Sequence, residues 1–302
     1  MQGSTPDPPP SNASSRSALY WYKVRRHWPI LLLGSLFVLL YAPVLRGLVA
    51  QWYDGDYSHG FVVPIFSAYL LRLRRSTLAA IPRKPSSFGL LVVVGAQALY
   101  FLGSLGAELF LTRVSVIVTI CGLVIYFLGW ASMQAVAFPL GFLFLMVPLP
   151  TLVYNEIVFP LQFLASRFAT TCLKTTGIVP VIREGNLLIL PNYTLELVEA
   201  CSGIRSLMSL VALGIGYGYL AEKRIMVRIM LVVLMVPIAV MSNGLRVMIT
   251  ALLVRFWGLR VAEGFLHSFS GWVLFLAAAT SLFLIHGLII KADGFWQRRV
   301  LA

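Results

Sequence analysis

The stretch Glu196-Leu-Val-Glu-Ala-Cys-Ser-Gly-Ile-Arg-Ser-Leu207 places a thiol among ionisable groups at the edge of a long apolar run. Glu196 and Glu199 precede Cys201, Gly203 follows it closely, and Arg205 lies four residues on. A thiol reacts as its thiolate, which nearby cations and a helix N-terminus favour. The apolar run from Ile204 reads as a helix, so Cys201 stands where such a helix starts. The bland alternative is a buried cysteine acting as a small, inert hydrophobe. Two more residues bear on the choice, Arg246 and His267. A thiolate attacks a carbonyl. A histidine moves protons to the leaving amine and from the incoming nucleophile. An arginine stabilises an oxyanion, or orients a substrate, with donors that stay charged. Together they are the inventory of a thiol acyl-transferase. Each has a plainer reading: His267 as an interfacial histidine bonded to backbone, Arg246 as a snorkelling anchor, His59 as a brace for its own loop. A Cys172–Cys201 disulfide is a further alternative. His27 and His286 fall on the opposite side of the expected topology and are given no part.

These residues need elements to hold them, and composition says which kind. The chain has 302 residues, 59% of them hydrophobic and only 12% charged, with a mean hydropathy of +0.86. Soluble domains carry about 25% charged residues, so this is a polytopic membrane protein. The net charge of +13 comes in short basic clusters between apolar runs. That is the positive-inside pattern rather than a nucleic-acid surface. Three cysteines, Cys121, Cys172 and Cys201, are too few for a disulfide framework.

Taken in order, residues 1–17 are rich in Pro, Ser and Asn and read as a disordered cytoplasmic tail. Apolar runs then follow at Trp28 to Leu45, Phe61 to Leu73, Phe88 to Leu105, Leu109 to Trp130, Ala135 to Val147, Ile204 to Leu220, Ile229 to Leu245 and Gly271 to Ile290. Several are shorter than the roughly 20 residues a spanning helix needs. The first lacks a small-x-small cleavage site and reads as an uncleaved helix. Tyr154 to Thr176 mixes apolar residues with Glu156, Gln162, Arg167 and Lys174 and reads as an interfacial amphipathic helix. Ile182 to Val198 reads as a short β-hairpin turning at Pro191-Asn192-Tyr193. The expected fold is therefore all-α and polytopic, with about eight transmembrane helices, one extracytoplasmic hairpin and one interfacial helix. A transmembrane domain over residues 18–292 is followed by a basic cytoplasmic tail, 293–302.

Charge orients this path. The N-terminal flank (Arg16, Lys23, Arg25, Arg26), the cluster Arg72, Arg74, Arg75, Arg83 and Lys84, the loop with Lys223, Arg224 and Arg228, and the C-terminal Lys291, Arg298 and Arg299 hold 15 of the 24 lysines and arginines. All fall on one side, which puts both termini in the cytoplasm. Cys201, Arg246 and His267 then come from three helices and meet at the outer, periplasmic face of the cytoplasmic membrane. Ionisable groups at membrane depth are costly and usually functional.

Glu199-Ala-Cys-Ser-Gly-Ile-Arg-Ser206, Asn243-Gly-Leu-Arg246 and His267-Ser-Phe-Ser-Gly-Trp272 resemble, in order and placement, the three signature blocks of the exosortase/archaeosortase family. Asp56-Tyr-Ser-His-Gly-Phe61 and Phe138 to Pro150 extend the resemblance, which runs from about Gln51 to Ile290. It implies a membrane cysteine protease and transpeptidase that processes membrane-anchored proteins bearing a C-terminal Pro-Glu-Pro-type motif, a transmembrane helix and a basic tail. By position, Cys201 is then the nucleophile, Arg246 the family's arginine and His267 its histidine. His59, Glu199, Arg205 and Asn243 lie inside the matching blocks as supporting or substrate-binding residues. No cofactor or metal is implied. The expected partners are the lipid bilayer and tethered protein substrates, with no nucleic acid. The rivals are a transporter with an outward polar site and a non-catalytic scaffold in exopolysaccharide assembly.

Overall fold

The computed structural model describes residues 13–53, 55–185, 187–190, 193–196, 204–258 and 265–300. Packing divides the chain into two units, Met1–Gly47 and Leu48–Ala302. The first is most of helix α1 (Ala13–Tyr53); the second carries everything discussed below. A 3-10 turn (Gly55–Phe61) leads into α2 (Val62–Leu73) and α3 (Arg75–Ala80). Then come α4 (Phe88–Leu105), α5 (Leu109–Leu128), α6 (Trp130–Phe142) with a 3-10 end (Leu143–Met146), and α7 (Thr151–Thr176). Three strands, β1 (Ile182–Glu184), β2 (Leu187–Leu190) and β3 (Tyr193–Glu196), precede α8 (Ile204–Ala221), α9 (Ile225–Trp257) and α10 (Phe265–Val300).

Some boundaries differ from those read in the sequence. Helix α1 starts at Ala13, so it takes in residues 13–17 of the segment read as a tail, and α10 continues through most of the basic C-terminal stretch. Residues 1–12 and 301–302 lie outside the described residues. Among the described residues, five helices are long and apolar enough to cross a membrane: Leu31–Tyr53, Phe88–Leu105, Leu109–Leu128, Ile225–Trp257 and Phe269–Ala292. Trp130–Met146 with Thr151–Thr176 makes a sixth if the pair, bent by 81°, counts as one. The eight crossings expected would also need α2, α6 and α8 to span, which this measure does not confirm. Helix α2 has only 12 residues, and the apolar part of α8 is Ser206–Ala221.

The bend between α6 and α7 has a local cause. In a helix each N–H serves the carbonyl four residues back, and proline has no N–H. Pro148 and Pro150 therefore free the carbonyls of Phe144 and Met146. The first is taken up by a tighter turn, Val147 N to Phe144 O at 3.1 Å. The second accepts from the buried indole of Trp52, Nε1 to O 3.0 Å.

The hairpin expected near Pro191 is present, but as part of a three-stranded antiparallel sheet in the order β1-β2-β3. Tyr193 opens β3 and pairs with Leu190, so it is a strand residue, not a turn residue. Strand β1 joins β2 through Gly185, whose φ of 59° suits a residue without Cβ. Arg183 of β1 reaches α7, donating from Nη1 to Ser166 Oγ at 3.1 Å and lying over the Phe163 ring. Val179, Val181, Leu188 and Leu190 pack with Ala169 and Leu173 of α7 and Val247 and Ala251 of α9. The sheet is thereby seated against α9 directly after Arg246.

Helices α8, α9 and α10 form a bundle around Leu207, Leu210, Leu231, Met235, Ala239, Ala278 and Leu282. Its basic end is closed by Glu222, whose Oε1 accepts from Lys223 N at 2.8 Å and Arg224 N at 3.1 Å. Hydrogen bonds from the Arg224 side chain, then from backbone, hold this carboxyl down to about 2. His286, on α10, is fastened there by the Tyr217 hydroxyl at 2.8 Å.

Helix α7 is amphipathic in the sense suited to lipid. Its buried face is small or polar, with Val158, Gln162, Ala165, Ser166, Ala169 and Thr170, whereas Phe159, Phe163 and Leu164 are exposed. Small residues let helix backbones approach closely. At Gly244 of α9 a Cβ would stand 2.6 Å from Phe168 Cδ1 and 3.0 Å from Ala165 O. Gly244→Val should therefore force α7 and α9 apart, at a cost of roughly 1–3 kcal/mol. The expected readout is a lowered midpoint of thermal unfolding in detergent micelles. Gly141→Ala, where an added Cβ meets nothing within 4 Å, is the control. Equal midpoints for the Gly244 variant and wild type would contradict this packing.

Candidate active site

Of the residues singled out in the sequence, Arg246 is the best defined. It lies on α9, about 32 Å of helix rise from Ile225, one hydrocarbon thickness of roughly 30 Å from the basic turn at Lys223 and Arg224. Its guanidinium faces α10: Nη1 is 3.8 Å from where a Cβ on Gly271 would stand. Gly271 is itself about 30 Å of helix rise from Lys291. His267 lies one turn before Gly271, in the first turn of α10. Thus Arg246 and the turn that follows His267 sit side by side at the end of the bundle remote from the Lys223–Arg224 turn. The Ser242 hydroxyl donates to Leu274 O at 3.3 Å and joins the same two helices.

Cys201 and Glu199 fall in the connection between β3 and α8, outside the described residues. Arg205 is in the first turn of α8. Leu207, half a turn further on, lines a cavity with Ala239 and Asn243 of α9 and Gln162 of α7. The helix that begins just after Cys201 therefore starts beside the Asn243–Arg246 turn. Cys172, on α7, is a free cysteine.

Among the described residues, eight buried side-chain polar atoms lack a hydrogen-bond partner. Five of them lie on α7 and α9: Gln162 Oε1, Thr170 Oγ1, Asn243 Oδ1, Arg246 Nε and Thr250 Oγ1. Buried polar groups are ordinarily bonded, so this concentration along one helix pair marks the seam as unusual. Gln162 had no role in the sequence reading. The signal was there, because Gln162, Ser166 and Thr170 recur every four residues and so share one helical face.

His59 is bonded to backbone. Its Nε2 is 3.1 Å from Leu145 O, a carbonyl on the 3-10 end of α6 where the proline-rich break begins. A carbonyl only accepts, so Nε2 carries the proton and Nδ1 has the lone pair in the neutral ring. Nδ1 is buried and without a partner. His59 ties the 55–61 turn to the α6–α7 break, as Trp52 ties the end of α1 to it.

Burial lowers the pKa of His59 from its ordinary 6.5, against an opposing contribution from the bond to Leu145. As pH falls through that value the unfolded chain takes up a proton that the folded one resists, so stability present above about pH 6.5 is lost on acidification. The midpoint of thermal unfolding should fall between pH 7.5 and 5.5. His59→Gln, which keeps a donor for Leu145 but does not titrate, should flatten that dependence. An unchanged slope in the variant would show that another group controls it.

Among the described residues no cluster of three or more His, Cys, Asp or Glu could hold a metal ion. No curated protein and no solved structure matches the chain. The model of one family does match: transmembrane exosortase (Exosortase_EpsH), over residues 52–284. That span takes in Trp52 and His59, the α6–α7 break, the sheet, and the helices carrying Asn243, Arg246 and His267. It covers well over half of the 302 residues, and the chain belongs to the transmembrane exosortase family.

Proposed function

We propose that this protein is a membrane cysteine protease and transpeptidase that cleaves C-terminal Pro-Glu-Pro-type sorting signals of membrane-tethered proteins at the outer face of the cytoplasmic membrane. The observation that carries the reading is the Arg246 guanidinium set against α10 one turn from His267, beside the start of the helix that follows Cys201. Three residues of chain keep Cys201 within about 10–11 Å of the first residue of α8. Family membership supports the same direction, a protein-sorting transpeptidase.

In this reading the Cys201 thiolate attacks the scissile carbonyl and Arg246 donates to the oxyanion. Collapse breaks the C–N bond, His267 as imidazolium protonates the leaving amine, and a thioester to Cys201 remains. His267, now neutral, takes a proton from the incoming amine or water as it attacks the thioester, and the C–S bond breaks to release the Cys201 thiolate, restoring the thiolate–imidazolium pair. Glu199 and Arg205 flank the thiol, and Asn243 supports Arg246. No cofactor takes part. Helices α1, α2, α4, α5, α6, α8, α9 and α10 make eight crossings, α7 lies along the outer surface, and both termini are cytoplasmic.

A transporter would keep its polar groups near the midplane, often on broken helices. Asn243 and Arg246 instead lie about 27 Å and 32 Å along α9, near one face. A membrane-tethered substrate suits such a site, because the tether fixes the depth of the scissile bond and raises its effective concentration.

Cys201→Ala should insert and fold normally yet leave a tethered Pro-Glu-Pro substrate uncut, and wild type should yield a substrate-derived thioester on Cys201, trapped by acid quench and read by mass spectrometry. Normal turnover by the Ala variant would remove the thiol mechanism. Arg246→Lys keeps the charge but loses the planar fork of donors. Its rate should fall on the order of 100-fold or more, as for loss of an oxyanion donor. A near-normal rate would make Arg246 an anchor only.

A further inference from the structure

Gln162 on α7 and Asn243 on α9 line one cavity, walled by Val158, Leu161, Leu207 and Ala239. Both side chains are buried, 5% and 7% exposed. The oxygens Gln162 Oε1 and Asn243 Oδ1 are buried and have no hydrogen-bond partner. Inside lipid a carbonyl oxygen left without a donor is costly, since no bulk solvent can supply one. The space has a volume of about 20 Å³, and one water needs roughly 10–15 Å³ and two to four polar partners. A water also has two hydrogens to donate, which matches two acceptors. The remaining walls are apolar and favour neither a charged group nor a larger polar one.

We propose that Gln162 and Asn243 hold a single buried water that donates one hydrogen to each, and that Gln162 is thereby a positioning residue for Arg246. Asn243 and Arg246 are three residues apart and so neighbours on one face of α9. The water fixes the Asn243 turn to α7, while Gly244 in the same turn lets the α7 backbone approach. Rotation of that turn would move the guanidinium away from α10. The link to Arg246 rests on the proposed function; the water itself does not.

The test uses the full chain in lipid nanodiscs, with Gln162→Met and Asn243→Leu, which remove an acceptor at similar volume, and their double variant. A density map that resolves ordered waters should show one peak between the two carboxamides in wild type and none in Gln162→Met. Direct bonding of the two carboxamides, or no density there, overturns the proposal. On a tethered substrate each single variant should lower kcat about tenfold or more, with KM within twofold and the unfolding midpoint little changed. The double variant should be no slower than the slower single one, because groups acting as a unit are not additive. Multiplying losses, or a loss of stability with kcat per folded molecule intact, overturn the positioning role. If wild type cuts no substrate, the proposed function fails, and the density map alone decides the water.

Discussion

A lipid interior offers a peptide group no hydrogen-bond partner, so each carbonyl freed by a break in a helix must be met by something the protein supplies. The α6–α7 break is where this constraint governs the fold. Pro148 and Pro150 withdraw two donors, and the end of α1 with the turn after it binds carbonyls of this break. Trp52 takes Met146 O and His59 takes Leu145 O. That turn then packs on α8, the helix that follows Cys201. The turn at 55–61 thus clamps the break through the His59 bond to Leu145 O.

The same constraint gives meaning to the α7–α9 seam. Polar side chains between membrane helices stabilise only when bonded, yet this pair carries five buried polar atoms without partners. They lie between a sheet seated on α9 at Val247 and Ala251 and a bundle whose other end is closed by Glu222 and its arginines. Five of the eight partnerless atoms among the described residues thus gather along one helix pair, while His286 Nε2 at the Glu222 end is another.

Much of this was legible residue by residue. Hydropathy marked α4, α5 and α9 because a spanning helix must be apolar over most of its length. The blocks around Cys201, Asn243–Arg246 and His267 were recognisable because ionisable residues are rare in such runs. The number of crossings was not legible: twelve residues of α2 and a bent α6–α7 pair do not announce from composition whether they traverse, re-enter or lie flat. The third strand escaped notice because three residues, Ile182 to Glu184, carry too little alternation to separate from a loop.

By itself, the sequence determined that the chain is an apolar, basic-ended bundle with a thiol, an arginine and a histidine near the ends of three helices, since composition and charge depend only on which residues are present and in what order. Only tertiary structure decided what Arg246, Gln162 and His59 touch. Arg246 turns toward Gly271 rather than toward lipid, and Gln162 faces Asn243 across a cavity. His59 spends its one N–H on Leu145, 86 residues away. Each is a contact between segments distant in the chain, set by how helices pack and where prolines bend them, and no local pattern in the sequence encodes it.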